Sequence, residues 1–106
     1  MRSTSTVRTY PVSQEEFRAA IEDAVRELPR WTLEHSSETE IRAVRESRLF
    51  GFGDDVTVRL QTLLPGGTRA ELRSASRFGV WDLGQNGRNL RKLLEAIDRE
   101  LNADVR

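Results

Sequence analysis

The chain has 106 residues, of which 37% are hydrophobic and 32% charged, and this predicts one small domain over residues 1–106 with an economical core. Lys and Arg together number 17, as do Asp and Glu, so there is no surplus of positive charge and duplex nucleic acid is disfavoured as a partner. The absence of cysteine excludes disulfides, thiol nucleophiles and Cys-ligated zinc.

The chain begins with a predicted strand and a helix. Thr4 to Tyr10 is rich in β-branched residues and precedes Pro11, which is typical of a short edge strand. Ser13 and Glu16 have the spacing of a capping box, in which the Ser hydroxyl accepts from the backbone N–H three residues later. Apolar residues then recur at three- and four-residue steps until Pro29, so we predict a helix with one buried face.

Four strands are predicted next, at Trp31 to His35, Thr39 to Phe50, Asp55 to Leu64 and Thr68 to Arg77. The second of these carries charge on both parities between Arg42 and Arg48, so the pattern leaves open which side chains face the core. The last two alternate cleanly, and Pro65-Gly66-Gly67 between them predicts a three-residue hairpin loop with a left-handed glycine.

A final helix is predicted to start near Asp82, because Asp82 and Gln85 repeat the capping-box spacing and an apolar stripe runs on to Leu101. The element order is therefore β-α-β-β-β-β-α. Two one-sided helices need a common apolar surface, and a sheet with one apolar face supplies it. We predict an α+β two-layer sandwich, with a curved, mostly antiparallel, five-stranded sheet and both helices on one face.

The register of the last hairpin predicts a charged cluster. A loop over Pro65-Gly66-Gly67 pairs Leu64 with Thr68 and keeps apolar residues on one face. Counting back gives three predicted cross-strand pairs: Asp55 with Arg77, Arg59 with Arg73, and Gln61 with Glu71. The face away from the helices should then carry Asp55, Arg59, Glu71, Arg73 and Arg77.

This cluster has two interpretations. Exposed charge pairs usually form a solvated ladder, in which each pair contributes about 0–1 kcal/mol. Two arginines directly opposite each other repel, however, unless an anion lies nearby. The alternative is a cradle of Arg59, Arg73 and Arg77 that binds a carboxylate or phosphate bidentately.

Other chemistry has little support in the sequence. Asp54 and Asp55 are adjacent strand residues whose carboxylates should point to opposite faces, so they converge on a hard cation only if Gly53 places a bulge there. The Gly51-Phe52-Gly53 run is not followed by a helix N-terminus that could receive a phosphate. His35 is the only histidine, and nothing orients it as a base or ligand. We predict no catalytic residue, no metal and no cofactor.

Four motifs resemble those of the domain of unknown function 1499 family. They are Phe52-Gly53-Asp54-Asp55-Val56 with Arg59, Arg73-Ser74-Ala75-Ser76-Arg77-Phe78-Gly79, Asp82-Leu83-Gly84, and Asn86. The resemblance brings no established activity, but it implies eight positions at which a ligand would be sought: Asp55, Arg59, Arg73, Ser74, Ser76, Arg77, Asp82 and Asn86. The chain departs from the family pattern at Asn89, where a basic residue is expected, and at Trp81, where a smaller polar one is expected.

Three functional hypotheses follow. The first is a binding module that recognises an anionic small molecule or carboxylate through the arginine-bearing strand face. The second is an enzyme of undescribed activity that uses Asp54, Asp55 or Asp82, and the third is an accessory domain with a protein partner. No segment approaches the roughly 20 apolar residues that span a bilayer, and the N-terminus lacks the apolar core of a secretory signal. We therefore expect a cytoplasmic protein without a membrane segment.

Overall fold

The computed structural model describes residues 3–47, 53–77 and 84–103. Its elements have the predicted order: β1 (Ser3–Tyr10), α1 (Gln14–Glu27), β2 (Trp31–Ser36), β3 (Glu40–Glu46), β4 (Gly53–Leu63), β5 (Gly67–Ser76) and α2 (Gln85–Ala103). The predicted helix start at Asp82 and strand end at Phe50 lie outside the described residues. Within the described part of the chain, no helix has the length and apolar character needed to cross a membrane.

The strands form one five-stranded sheet in the order β1-β5-β4-β3-β2, and every neighbouring pair is antiparallel. β1 is an edge strand, as its sequence predicts. Both helices pack on one face of the sheet, where the inward residues of β4 and β5 meet the apolar stripes of α1 and α2. This confirms the predicted two-layer α+β architecture.

Helix α1 shows how local sequence signals position the core. The Ser13 Oγ accepts a hydrogen bond from the Glu16 backbone N–H at 3.1 Å, so the predicted N-cap is present. One turn later the buried face begins with Phe17, and Ile21 and Val25 continue it at four-residue spacing. Their side chains are at most 1% exposed, which fixes the rotation of the helix against the sheet.

The β4–β5 hairpin corrects the predicted register. Leu63 pairs with Gly67, so the loop has the predicted three residues but lies one position earlier, over Leu64-Pro65-Gly66. The Leu64–Pro65 peptide in this loop is cis. Gly66, the glycine of the loop, is not left-handed, since among the described glycines only Gly84 has a left-handed φ. The predicted left-handed glycine in this loop is therefore wrong.

A loop that starts one residue earlier moves each cross-strand partner by two positions. Side chains stay on their predicted faces, because a shift of two keeps the parity of a strand. The three predicted pairs are nevertheless wrong: Asp55 lies opposite Ala75, Arg59 opposite Glu71, and Gln61 opposite Arg69. The observed register places Arg59 opposite a carboxylate instead of a second guanidinium, which is electrostatically favourable.

Tyr10 links the edge strand β1 to both helices through its side chain. Its ring lies 4.6 Å from that of Phe17 on α1, and its hydroxyl is hydrogen-bonded to the carboxylate of Asp98 on α2. Burial, and then the neighbouring Asp98 charge, raise the pKa of Tyr10 from 10.0 to about 12. The neutral phenol is therefore part of the packing between β1 and the helices.

Alkaline pH should loosen this junction. A raised pKa means that the native state holds the phenolic proton more tightly than the unfolded chain does. This difference adds to the free energy of unfolding in full below pH 10, and the contribution is lost as the pH rises from about 10 to 12. Because Tyr10 is the only tyrosine, tyrosinate absorbance can follow it alone. We expect titration near pH 12 in the folded chain.

The matched variants are Asp98→Asn, which should lower the pKa of Tyr10, and Tyr10→Phe, which should remove this part of the pH dependence of unfolding. A folded-state pKa near the ordinary 10.0 would contradict the packing described.

Candidate functional site

A buried cluster of polar side chains joins the start of α2 to β4 and β5. This inner network consists of Asp54, Ser74, Ser76, Asn86 and Asn89. Ser74 and Asn86 are fully buried, Asn89 is 1% exposed and Asp54 is 8% exposed. The inward parity of β4 and β5 places the strand residues of the network on the helix-covered face, as predicted for Ser74 and Ser76.

The network is a continuous chain of hydrogen bonds. Asn89 Nδ2 donates to Asp54 Oδ2 at 2.9 Å and to Ser74 Oγ at 3.1 Å. Ser74 Oγ donates to Asn86 Oδ1 at 2.8 Å, and Asn86 Nδ2 donates to Ser76 Oγ at 3.1 Å. Among the described residues, every buried side-chain nitrogen or oxygen has a partner. A fully satisfied buried network of this kind specifies one packing of α2 on the sheet.

Arg45 completes the network on the β3 side. Its side chain points inward and is 16% exposed, and its Nη1 lies 3.7 Å from Asp54 Oδ2. The guanidinium compensates the carboxylate, which would otherwise be a costly charge in a mostly dry position. On α2, Gln85 Nε2 donates to Asn89 Oδ1 at 2.7 Å and holds the amide in its orientation.

Sequence reasoning missed three members of this arrangement: Arg45, Gln85 and Asn89. For Arg45, the available signal is the mixed charge between Arg42 and Arg48 in the predicted strand from Thr39 to Phe50. For Asn89, it is the departure from the family pattern. Neither signal names a partner, since Asp54 and Asn89 are 35 positions apart. Asp82, which was predicted as a site residue, lies outside the described residues.

The two adjacent carboxylates lie on opposite faces of β4, as the sequence predicts. Asp54 faces the helices, whereas Asp55 faces outward and is paired with Arg77. In the described ranges, no group of three or more His, Asp or Glu side chains could hold a metal ion. The geometry therefore gives Asp54 the role of an acceptor within the network.

Arg77 is held on the outer face. Its Nε and Nη2 donate to Asp55 Oδ1 at 2.9 and 2.8 Å, and Nη2 lies 3.7 Å from Glu34 Oε1 on β2. The hydrogen bond to Asp55 raises the pKa of Arg77. The side chain crosses β4 above Gly53, where an added Cβ would lie only 3.2 Å from Arg77 Cδ. Gly53 therefore allows an ion pair that joins β2 and β4 to Arg77, the residue that follows β5.

Arg59 and Arg73 lie further along the same outer face. Arg59 is flanked by Glu40 and Glu71 on the neighbouring strands, and its Nε lies 3.4 Å from Glu40 Oε2. Arg73 lies opposite Thr57 on β4. Four side chains, those of Thr57, Arg59, Glu71 and Arg73, enclose a depression of about 60 Å³. Of the three predicted cradle arginines, the structure thus brings two to one depression and places Arg77 elsewhere.

A family model described as "Protein of unknown function (DUF1499)" matches residues 2–97. The chain belongs to this family. The DUF1499 motifs noted in the sequence divide between the two faces of one sheet: Asp54, Ser74, Ser76 and Asn86 belong to the inner network, and Asp55, Arg59, Arg73 and Arg77 to the outer face. Gly84, from the third motif, has a φ of 78°, a left-handed conformation that favours glycine just before α2.

The solved structures that resemble this DUF1499 chain show the same fold. A crystal structure of Ara h 8.0201 superposes with a TM-score of 0.64 at 11% identity, covering 98% of this chain and 97% of the other. TTHA0849 from Thermus thermophilus superposes with a TM-score of 0.51 at 12% identity, covering 97% and 99%. The neighbours have Bet v 1-like and compact α+β folds. No curated protein is significantly similar in sequence.

The inner network should contribute measurably to stability. Asn89→Ala removes one donor from the buried Asp54 carboxylate and one from Ser74, and we expect the free energy of unfolding to fall by about 1–3 kcal/mol. Urea unfolding measures this change. Asn102→Ala is the matched control, because Asn102 is exposed on the same helix and its loss should change stability by about 0.5 kcal/mol or less. Equal stability of the two variants would contradict a structural role for Asn89.

Proposed function

We propose that this DUF1499 domain is a binding module that recognises a small oxyanion, a carboxylate or a phosphate group, on the outer face of its sheet. The site is the depression between Arg59 and Arg73, with the Thr57 hydroxyl as a further donor. The observation that carries the proposal is that two guanidinium groups from neighbouring strands line one depression.

The size of the depression suits a small group. A depression of about 60 Å³ has room for the oxygen atoms of one carboxylate or phosphate group. The rest of such a ligand would lie across the open sheet. Guanidinium groups bind these oxyanions through paired, charge-assisted hydrogen bonds.

Arg59 is more exposed and less tightly paired than the third candidate, Arg77. Arg77 is neutralised by Asp55 at hydrogen-bond distance, with Glu34 close by. The depression is lined by two guanidinium groups and the carboxylate of Glu71, and Glu40, outside the lining, lies 3.4 Å from the Nε of Arg59. Arg59 is 68% exposed, which leaves its guanidinium accessible to a ligand.

The enzyme hypothesis has weaker support. It needs carboxylates that converge on a substrate, whereas Asp54 is an acceptor in the inner network and Asp55 binds Arg77. A protein partner on the open sheet face would meet the same charged side chains.

Inorganic phosphate and acetate are suitable probes for the site. In an amide NMR titration of the wild-type chain, we expect shifts centred on Thr57, Arg59, Glu71 and Arg73, weaker at high salt. Arg73→Ala should raise the dissociation constant about tenfold or more, since a charge-assisted hydrogen bond is lost. The anion that binds more tightly gives the class of ligand.

Arg69→Ala is the matched control for this titration. Arg69 lies on the same strand and the same outer face but outside the depression, where its Nη1 is 3.6 Å from Glu71 Oε2. Both variants should fold, because both side chains are on the solvated face. The proposal is wrong if wild type shows no localised shifts, or if the two variants weaken binding equally.

A further inference from the structure

The two edges of the sheet differ in how they are protected. The β2 edge has an irregular register between Leu33 and His35, with the charged Glu34 at the irregularity, and such features block pairing with another strand. The β1 edge has no such irregularity. All eight residues of β1 pair in unbroken register with β5, and Arg8 is the only charged residue among them. Its composition of Ser, Thr, Val and Tyr favours a strand.

A groove of about 530 Å³ runs beside this edge, between β1 and α2. β1 and α2 run in the same direction. Near the start of both, Asn89 of α2 contacts Ser74, which pairs with Thr4 of β1. Near the end of both, Asp98 of α2 contacts Tyr10 of β1. Arg91 therefore lies toward the start of β1, and Glu95 and Asp98 lie toward its end. The α2 wall of the groove is positive at one end and negative at the other.

We propose that the β1 edge and this groove form the interface of a homodimer, in which β1 pairs antiparallel with β1 of a second copy across a two-fold axis. A two-fold interface must be complementary to itself. Antiparallel pairing meets this requirement, because it places Arg91 of each copy at the Glu95 end of the other. A parallel arrangement would bring the like-charged ends together.

Two further properties fit a second copy as the partner. The chain has no net charge, so two copies do not repel each other at long range. Eight residues of strand span about 26 Å, which is long enough for a continuous ladder of hydrogen bonds between copies. Val7, which is 43% exposed on this strand, would be partly covered. This interface borders the oxyanion depression, because Ser5 and Val7 of β1 lie opposite Arg73 and Glu71.

Charge reversal tests the arrangement. Sedimentation equilibrium of the wild-type chain should show a concentration-dependent dimer. Arg91→Glu places like charges together across the axis, and so does Glu95→Arg, so each variant alone should raise the dimer dissociation constant about tenfold or more. Mixing the two variants should restore the dimer, because both cross-axis contacts then join opposite charges. A role in folding alone would not produce this rescue.

The control is Lys92→Glu, which makes the same kind of charge change on an exposed part of α2 that does not line the groove. It should dimerise like wild type. A wild-type chain that is monomeric at every concentration overturns the proposal. Dimerisation that persists in each single variant, or a mixture that dimerises no better than its components, also overturns it.

Discussion

The contact between the first turns of α2 and the inner face of the sheet determines the rest of the arrangement. Asn86 and Asn89 can reach Ser74 and Asp54 only in one rotation of the helix, and that rotation turns Leu90, Leu93 and Ile97 into the core. Apolar packing alone tolerates several rotations at similar energy, whereas a buried amide left without partners costs about 1–3 kcal/mol. The network thus selects the packing that the apolar stripes stabilise.

Local signals in the sequence were sufficient to predict the helices and strands and the face on which their side chains lie. The Ser13 cap, the stripe from Phe17 to Val25 and the alternation in β4 each depend on residues a few positions apart, and each is observed. The register of the β4–β5 hairpin depends on the conformation of one loop, and the pattern allowed two loops of equal length that keep the same faces. The inward direction of Arg45 follows from the parity it shares with Ile41 and Ala43, but its partner Asp54 lies across the sheet, and no local pattern contains that pairing.

The same limit applies to the candidate site. Strand parity predicts that Arg59, Arg73 and Arg77 face outward, and this is observed. Their cross-strand partners were predicted from the hairpin register, and those pairs are wrong. The corrected register separates a structural arginine, Arg77, from two arginines beside a depression. The DUF1499 motifs therefore combine two physical requirements on one sheet. Inner positions hold α2 in place, and outer positions present charge on the exposed face of the sheet.

The central claim is that the inner network anchors α2 to the sheet, and native-state hydrogen exchange of the wild-type chain tests it most directly. If the anchor is as described, the amides of Asn89, Leu90 and Leu93 open only with global unfolding, and their free energy of opening equals that of the inner residues of β4 and β5. If these amides instead exchange through a local opening while the strands stay protected, α2 is held by apolar packing further along the helix and the network is not the constraint that we describe.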